Sequence, residues 1–348
     1  SAALALYGLN HPTGHLIEHD AFGMQTRMNE TPDATLDAWV ANAARDAASR
    51  GIVGIVDYEM AWNPGVWGRR VASGFDTLRV KVATYPLELD RAIGEGMHSG
   101  KQLDEFGLLT MGPLKIIADG SLTARTAWCH SPYPTPSAAG PQGVPNYSWD
   151  ELIDLIGRAD RDGLDCAVHA IGDRAAAMVL DAFTETGARG SIEHAQLLTA
   201  DDRGRMASLG LTAGVQPAHL LDDRDAAETL WPGRTAGAFA YASLRDVGVP
   251  LVFGSDAPVS PLNPWLAIQA AVTRTVDGRP AWHPEQCLSM DEAVGASTGG
   301  VRSLVSGASA DLIALDVNPF EVDPASLSGI RTSLTMVAGR TTHTTLPN

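Results

Sequence analysis

The chain has 348 residues, of which 45% are apolar and 19% are charged, a mixture typical of soluble globular domains. Its net charge of −16 would repel phosphate backbones and anionic membrane surfaces, which argues against nucleic-acid and membrane partners. The three cysteines are too few and too widely spaced for a disulfide framework, which favours a reducing, cytoplasmic environment. No apolar run approaches the ~18 residues that a membrane-spanning helix requires.

The elements predicted in chain order alternate between helices and short apolar strands. A helix is predicted over about 32–50, and Gly51 ends it. The seven strand-like runs that follow are GIVGIVD (51–57), LRVKVATY (78–85), LKIIADG (114–120), LDCAVHAIG (164–172), SIEHAQ (191–196), LTAGVQPAH (211–219) and VPLVFGSD (249–256). Amphipathic or alanine-rich segments separate most of these runs. This alternation predicts parallel βαβ units whose sheet is covered on both faces.

The number of strands predicts an incomplete barrel. A TIM-like (β/α)8 barrel has eight parallel strands and typically takes ~250 residues, whereas this sequence supplies seven strands. After about residue 300 the pattern changes, and two segments read as antiparallel strands, SADLIALDV and TSLTMVAGRTTH. We therefore predict an α/β barrel domain over 1–300 that lacks its first strand, and C-terminal strands of a small β-sandwich over 301–348. The first strand and the partners of the tail strands are expected upstream of Ser1.

Two long segments rich in proline and glycine are predicted to be loops, over 58–70 and 121–148. Both leave the C-terminal ends of strands, where the active sites of barrels are built. They contain Trp62 and Trp128, which either line a substrate pocket or only anchor the loops. The aromatic residues weakly favour an apolar or aromatic group next to the reacting bond of a substrate.

Polar side chains stand at the ends of several predicted strands. His169, His194 and Asp256 each follow a strand, and Lys115 lies near the end of another. In a barrel these positions converge on one mouth although they are far apart in sequence. Imidazole and carboxylate are the ligands that a divalent transition metal such as Zn²⁺ takes. A neutral lysine amine can add CO₂ and become a carboxylate that bridges two metal ions, and burial favours the neutral amine.

Each of these residues also has a purely structural interpretation. His169 or His194 alone is more often a hydrogen-bonded core histidine, and Lys115 alone is more often half of an ion pair. Asp256 precedes Ala-Pro and would serve equally well as a turn residue. The order Lys, His, His, Asp on successive strand ends favours a metal site over these separate interpretations.

The sequence resembles the amidohydrolase superfamily of metal-dependent hydrolases, specifically the YtcJ-like branch (amidohydrolase family 3). The matching segments are TGHLIEHDAF, LKIIADGSLTARTA, AVHAIGDRA, SIEHAQLL, GVQPAHL, FGSDAPVSPLNPW and SADLIALD. They extend over essentially the whole chain. The resemblance implies a TIM-like barrel with a flanking β-sandwich made from both chain ends, and a site that holds one or two divalent ions, with zinc expected.

The resemblance also implies a role for individual residues. Lys115 would be the carboxylated lysine, His169 and His194 would be metal ligands, and Asp256 would be both a ligand and the general acid/base. His219 would stand near the substrate carbonyl as a second catalytic group. The residues expected to bind substrate are Asp119, Arg125, Gln216, Trp62 and Trp128.

One feature of the family is missing from this sequence. Members of the family carry an HxH pair at the end of the first barrel strand, and this sequence contains no HxH. His11, His15 and His19 lie in a polar stretch before the first predicted helix, and we interpret them as surface residues. The HxH pair belongs on the first strand of the barrel. Absence of that strand therefore explains both the missing HxH pair and the count of seven strands.

Three classes of function remain open from the sequence. The first is a metal-dependent hydrolase that cleaves an amide or related C–N bond of a small molecule with metal-activated water. The second is a catalytically inactive barrel homologue that only binds small molecules or partners. The third is an isomerase or decarboxylase on the same scaffold, since a fold does not fix a function. A homodimer is expected because it is the most frequent closed assembly.

Overall fold

The computed structural model describes residues 31–301 and 303–347. The predictions for His11, His15 and His19 fall outside the described residues. The first described helix, α1 (Asp33–Ser49), agrees with the helix predicted over about 32–50. It contains the boundary between two compact units, residues 1–46 and residues 47–348. All elements described below belong to the second unit.

The seven predicted parallel strands are confirmed. Their bounds are β1 (Gly54–Asp57), β2 (Arg79–Thr84), β3 (Leu109–Ile117), β4 (Cys166–Ala170), β5 (Gly190–His194), β6 (Thr212–Val215) and β7 (Leu251–Phe253). They form one curled sheet in chain order, and every neighbouring pair is parallel. The central strands are almost fully buried, which explains why they appear in the sequence as continuous apolar runs.

The two outer strands of this sheet differ from the central ones. Val56 on β1 is 45% exposed and Val252 on β7 is 42% exposed. Within the part of the chain that the structure describes, no pairing joins β1 to β7. The seven strands therefore account for most of a barrel wall and leave an open edge on each outer strand.

Helices of 6–14 residues follow most of the strands. Their bounds are α2 (Asn63–Ala72), α3 (Leu89–Gly94), α4 (Trp149–Arg161), α5 (Asp173–Thr186), α6 (Ala200–Ser208), α7 (His219–Leu230), α8 (Tyr241–Asp246), α9 (Pro264–Thr273) and α10 (Met290–Ser297). Short 3₁₀ turns occupy Pro86–Glu88, Thr235–Gly237, Pro284–Gln286 and Pro324–Gly329. Among the described helices, none combines the length and the apolar character needed to cross a membrane.

The prediction that 58–70 is a loop was wrong for most of that segment, because α2 begins at Asn63. Pro64 lies in the first turn of the helix, where a missing backbone N–H costs nothing. Trp67 and Val71 then follow at helical spacing and are buried. The proline that suggested a loop is thus part of a helix start.

The segment 121–148 is a long connection without helix or strand, as predicted. Its distal end is fixed to the end of β3, because the backbone N–H of Asn146 donates to the carbonyl of Ala118 at 2.8 Å. Internally, the hydroxyl of Tyr133 donates to the carbonyl of Ala127 at 2.8 Å. Tyr133 is buried, so the loop is held in place by its own side chains.

The predicted tail strands are confirmed as a three-stranded antiparallel sheet with the order β10-β9-β8. Its strands are β8 (Leu312–Leu315), β9 (Thr332–Val337) and β10 (Arg340–Thr344). The tail sheet is joined to the barrel sheet by an ion pair. Arg79 at the start of β2 donates two hydrogen bonds to the Asp311 carboxylate, at 2.6 and 3.1 Å.

Removal of the Asp311 charge is expected to destabilise the protein most at neutral pH. Burial opposes ionisation of this carboxyl, but hydrogen bonds from Arg79 and the Ala338 N–H outweigh it, so the pKa of Asp311 is lowered. The carboxylate therefore stabilises the fold above its unfolded-state pKa, near ~3.9, and the contribution disappears as the pH falls through the lower folded-state pKa. We expect Asp311→Asn to lower the free energy of unfolding by about 1 kcal/mol at neutral pH. Urea unfolding should show this difference shrinking in acid; a constant difference would contradict the assignment.

Candidate metal centre

The predicted ligand residues lie at the same edge of the parallel sheet. Lys115 stands two residues before the end of β3, His169 is the penultimate residue of β4, and His194 is the last residue of β5. Asp256 follows β7 by three residues, and His219 opens α7. The carboxyl ends of parallel strands meet at one edge, so these five residues approach one another despite their separation in sequence.

The backbone turns His194 and Asp256 out of the regular strand geometry. His194 has φ +69°, and Asp256 has φ +52°. Non-glycine residues rarely adopt this left-handed conformation, which costs on the order of 1 kcal/mol or more. In a regular strand Glu193 and His194 would point to opposite faces. The left-handed backbone at His194 allows the side chains of Glu193 and His194 to lie on the same side of the sheet edge.

Three side chains form the centre of the cluster. The potential ligand atoms of His194, His219 and Asp256 all lie within 4.8 Å of one another. The His219 Nε2 atom is 3.9 Å from the Asp256 Oδ2 atom, and the rings of His194 and His219 stack with their centroids 6.0 Å apart. Asp256 remains the most exposed of the three, with 46% of its side-chain surface accessible.

Two buried imidazole nitrogens in this cluster have no hydrogen-bond partner among the described residues. They are His194 Nδ1 and His219 Nε2. An unsatisfied buried polar atom costs ~1–3 kcal/mol, so both nitrogens are suited to a further partner such as a bound ion or a substrate atom. Zn²⁺ binds imidazole at ~2.0–2.1 Å, which places two ligand atoms of one ion up to ~4 Å apart. The residues therefore fit a divalent metal after small side-chain movements.

The electrostatic environment keeps the His194 ring neutral. Burial lowers the pKa of His194 well below its ordinary value, and the neighbouring His169, Lys115 and His219 lower it further. A side-chain interaction with Gln216 opposes this effect without reversing it. A neutral imidazole offers the lone pair that a metal ion requires.

His169 has the surroundings of an oriented metal ligand. Its ring lies edge-to-face against His194 with 4.5 Å between centroids. Its Nε2 atom is 3.1 Å from the carbonyl oxygen of Gly120 and 3.4 Å from Asp119 Oδ1. A carbonyl can only accept a hydrogen bond, so in the neutral ring Nε2 carries the proton and Nδ1 carries the lone pair. Metal-binding histidines are commonly fixed in this way.

Asp119, predicted to bind substrate, is fully buried beneath the site. Its carboxylate accepts hydrogen bonds from the backbone N–H groups of Trp128, Ile171 and Gly172, at 2.8, 3.0 and 2.8 Å. These bonds tie the start of the 121–148 loop to the turn after β4. Asp119 thus holds the elements that carry His169 and Trp128.

Lys115 is buried. Its Nζ atom lies 5.0 Å from the centre of the Tyr58 ring. Burial lowers the pKa of Lys115, while the charges of Glu193 and Asp256 act in the opposite direction. A lysine in this position is more easily neutralised than one in water.

Two polar residues of the site were missed in the sequence. Glu193 is a buried carboxylate that precedes His194, and Ser191 Oγ donates to it at 2.5 Å. Tyr58 follows β1, and its hydroxyl interacts with the Glu193 carboxylate. The signal was a glutamate inside a buried strand, where acidic residues are rare unless they are paired.

The other predicted substrate-binding residues have different surroundings. Gln216 is buried beside His194, and its amide donates to the carbonyl of Gly214 at 3.1 Å. Arg125 lies in the 121–148 loop, where its guanidinium points to the carbonyl groups of residues 135 and 136. Trp62 and Trp128 are half-buried, and each ring is covered by an arginine, Arg91 at 4.2 Å and Arg174 at 4.3 Å.

Known proteins are similar to this chain in sequence and in fold. YtcJ of Bacillus subtilis, named as an amidohydrolase by similarity, is 28% identical over 383 aligned positions, which cover 98% of this chain and 70% of YtcJ. The N-substituted formamide deformylase of Arthrobacter pascens is 29% identical over 217 positions, covering 57% of this chain and 40% of that enzyme.

An uncharacterized metal-dependent hydrolase from Pyrococcus horikoshii OT3 has the same fold, with a TM-score of 0.74 and 27% identity. The match covers 84% of this chain and 62% of that structure, so the chain spans less than two thirds of this relative. The sequence profile of the amidohydrolase family matches residues 2–343. The chain belongs to the amidohydrolase family.

Proposed function

We propose that the protein is a metal-dependent hydrolase that cleaves an amide or related C–N bond of a small molecule. The observation that carries this proposal is the cluster of His194, His219 and Asp256, in which two buried imidazole nitrogens have no hydrogen-bond partner within residues 31–301 and 303–347. The names of two relatives support the bond type, because one is an amidohydrolase by name and the other a deformylase of N-substituted formamides.

The proposed ligands are Lys115, His169, His194 and Asp256, and the proposed metal is zinc, as one or two ions. When bound, such an ion would supply Lewis acidity and lower the pKa of water toward neutrality. The potential ligand atoms of His194 and Asp256 lie within 4.8 Å of each other, which supports a shared ion. Lys115 would contribute as a carbamate, formed when its neutral amine bonds to the carbon of CO₂ and releases a proton.

Asp256 is the proposed general base and acid. Its carboxylate is the most accessible group of the cluster, so it is able to take a proton from water and return it to the leaving nitrogen. His219 is proposed to donate from Nε2 to the substrate carbonyl oxygen. His219→Ala should therefore lower kcat by about 100-fold and leave bound metal unchanged. Loss of metal in this variant would instead make His219 a ligand.

We also propose that the complete fold is a (β/α)8 barrel with a flanking β-sandwich. An eighth strand with the family's HxH pair would lie between β7 and β1. The exposed Val56 and Val252 on the two outer strands support this proposal, because edge strands of a parallel sheet are normally covered. The tail sheet β8–β10 would be one part of the sandwich.

The function is tested by measuring hydrolysis of a panel of N-substituted formamides and N-acyl amines. Protein loaded with Zn²⁺ should release amine, and protein treated with a chelator should not. Asp256→Asn should reduce kcat by about 100- to 10,000-fold, the usual contribution of a general acid/base. Metal binding without turnover of any amide would favour a non-hydrolytic homologue.

A further inference from the structure

Glu193 is a buried acidic residue that the proposed mechanism does not use. In the sheet register it lies beside His169 of β4 and Gly214 of β6. Ser191, two residues earlier on the same face of β5, is aligned through Ala167 with Lys115. Glu193 therefore projects from the same face of the sheet as Lys115 and His169.

The space for the Glu193 carboxylate exists because the neighbouring residue on β6 is glycine. A Cβ atom at Gly214 would lie 2.2 Å from Glu193 Oε2 and 2.7 Å from its Cδ atom. No real side chain tolerates such a contact, so any larger residue at 214 would displace the carboxylate. The fold thus reserves this volume for Glu193.

Tyr58 connects Glu193 to Lys115. The Tyr58 hydroxyl interacts with the Glu193 carboxylate, and the centre of its ring lies 5.0 Å from Lys115 Nζ. The position of the ring is fixed further by its own backbone, since the Tyr58 carbonyl accepts a hydrogen bond from the Tyr85 hydroxyl at 2.7 Å. A Glu193 carboxylate that orients the Tyr58 ring therefore also fixes the ring face that contacts the Lys115 amine.

We propose that Glu193 is a positioning residue that acts through Tyr58 to hold the Lys115 side chain toward the metal-binding groups. This inference rests on the proposed function, because it assumes that Lys115 is a ligand. Glu193 touches neither substrate nor metal in this arrangement. Residues that orient a metal ligand typically change metal affinity or activity by ~10- to 100-fold when they are replaced.

The test uses Co²⁺, whose visible absorption reports ligand geometry, and four forms of the protein. They are the unchanged chain, Glu193→Gln, Tyr58→Phe and the double variant. Glutamine keeps the volume of Glu193, and phenylalanine keeps the ring of Tyr58. Each single variant should weaken Co²⁺ binding by ~10- to 100-fold and shift its absorption bands. The double variant should be no worse than the poorer single variant, since the two residues form one path.

Glu185→Gln is the matched control, because Glu185 is exposed on α5. It should bind Co²⁺ as the unchanged chain does. Full Co²⁺ affinity in Glu193→Gln, or losses that add in the double variant, would overturn the proposal and leave the proposed function standing. If the unchanged chain binds no Co²⁺, the proposed function fails together with this inference.

Gly214→Ala separates positioning from a purely structural role. The new methyl group displaces the carboxylate and should lower both the melting temperature and the Co²⁺ affinity. Adding Glu193→Asp retracts the carboxylate from the methyl group, so the melting temperature should recover. The Co²⁺ affinity should stay low, because the shorter side chain no longer reaches Tyr58. Recovery of both quantities together would show that Glu193 serves only packing.

Discussion

Replacing His194 by alanine should abolish stoichiometric metal binding and reduce activity to the level of chelator-treated protein. His194 supplies one of the two imidazole nitrogens of the cluster that have no partner in the described part of the chain, and its ring packs against those of His169 and His219. Replacing a residue that hydrogen-bonds to a metal ligand already lowers metal affinity or activity by ~10- to 100-fold. Loss of the ligand itself should therefore reduce metal affinity by at least ~100-fold. Elemental analysis of the purified variant, together with Co²⁺ titration, measures the effect.

The control for this prediction is His98→Ala, which removes an exposed histidine beside Gly163, ahead of the start of β4. It should retain metal and activity. The His194 variant should also keep its fold without metal, because removal of the ring leaves no charged group unpaired. A variant that folds and still binds one equivalent of metal would remove His194 from the ligand set.

Lys115→Ala should lose both activity and much of the bound metal, and acetate or propionate should partly restore them. A small carboxylate is able to occupy the position of the proposed carbamate once the lysine side chain has been removed. The expected loss is at least ~100-fold in activity, by the same reasoning as for His194. Restoration should saturate with added carboxylate and should be visible in the metal content as well as in turnover.

Lys115→Arg provides the complementary measurement. Arginine keeps the positive charge of an ion pair but is not carboxylated, because its guanidinium stays protonated. If Lys115 only pairs with Glu193, this variant should keep its metal, and acetate should have no effect on Lys115→Ala. That result would reduce the site to a single-metal arrangement without the lysine.

The sheet was predictable from the sequence because its strands are buried on both faces. LDCAVHAIG contains a continuous apolar run at 166–168, and the structure places the buried strand β4 there. SIEHAQ is more polar, and β5 lies there. Helix α2 was not predictable in the same way. Pro64, Gly65 and Gly68 suggest a loop when they are read locally, and only the burial of Trp67 and Val71 shows why the segment is helical.

The site was predictable in outline, since the polar residues at strand ends are local signals. The orientation of each side chain was not, because it depends on the left-handed backbone at His194 and Asp256. The role of Asp119 also depends on long-range contacts, as its three N–H partners lie on two different segments. Glu193 acquires its neighbours only when β3, β5 and β6 are brought side by side.

The anchored 121–148 loop has a consequence for how the substrate range of this protein can diversify. Both of its ends are secured by hydrogen bonds: the buried Asp119 carboxylate accepts from the Trp128 N–H, and the side-chain amide of Asn146 donates to the Asp119 carbonyl. Its tip, residues 134–136, is exposed and contributes little to the buried core. Sequence libraries confined to this tip should therefore sample new recognition surfaces at low risk to folding. Directed evolution of the protein has its most tolerant starting point there.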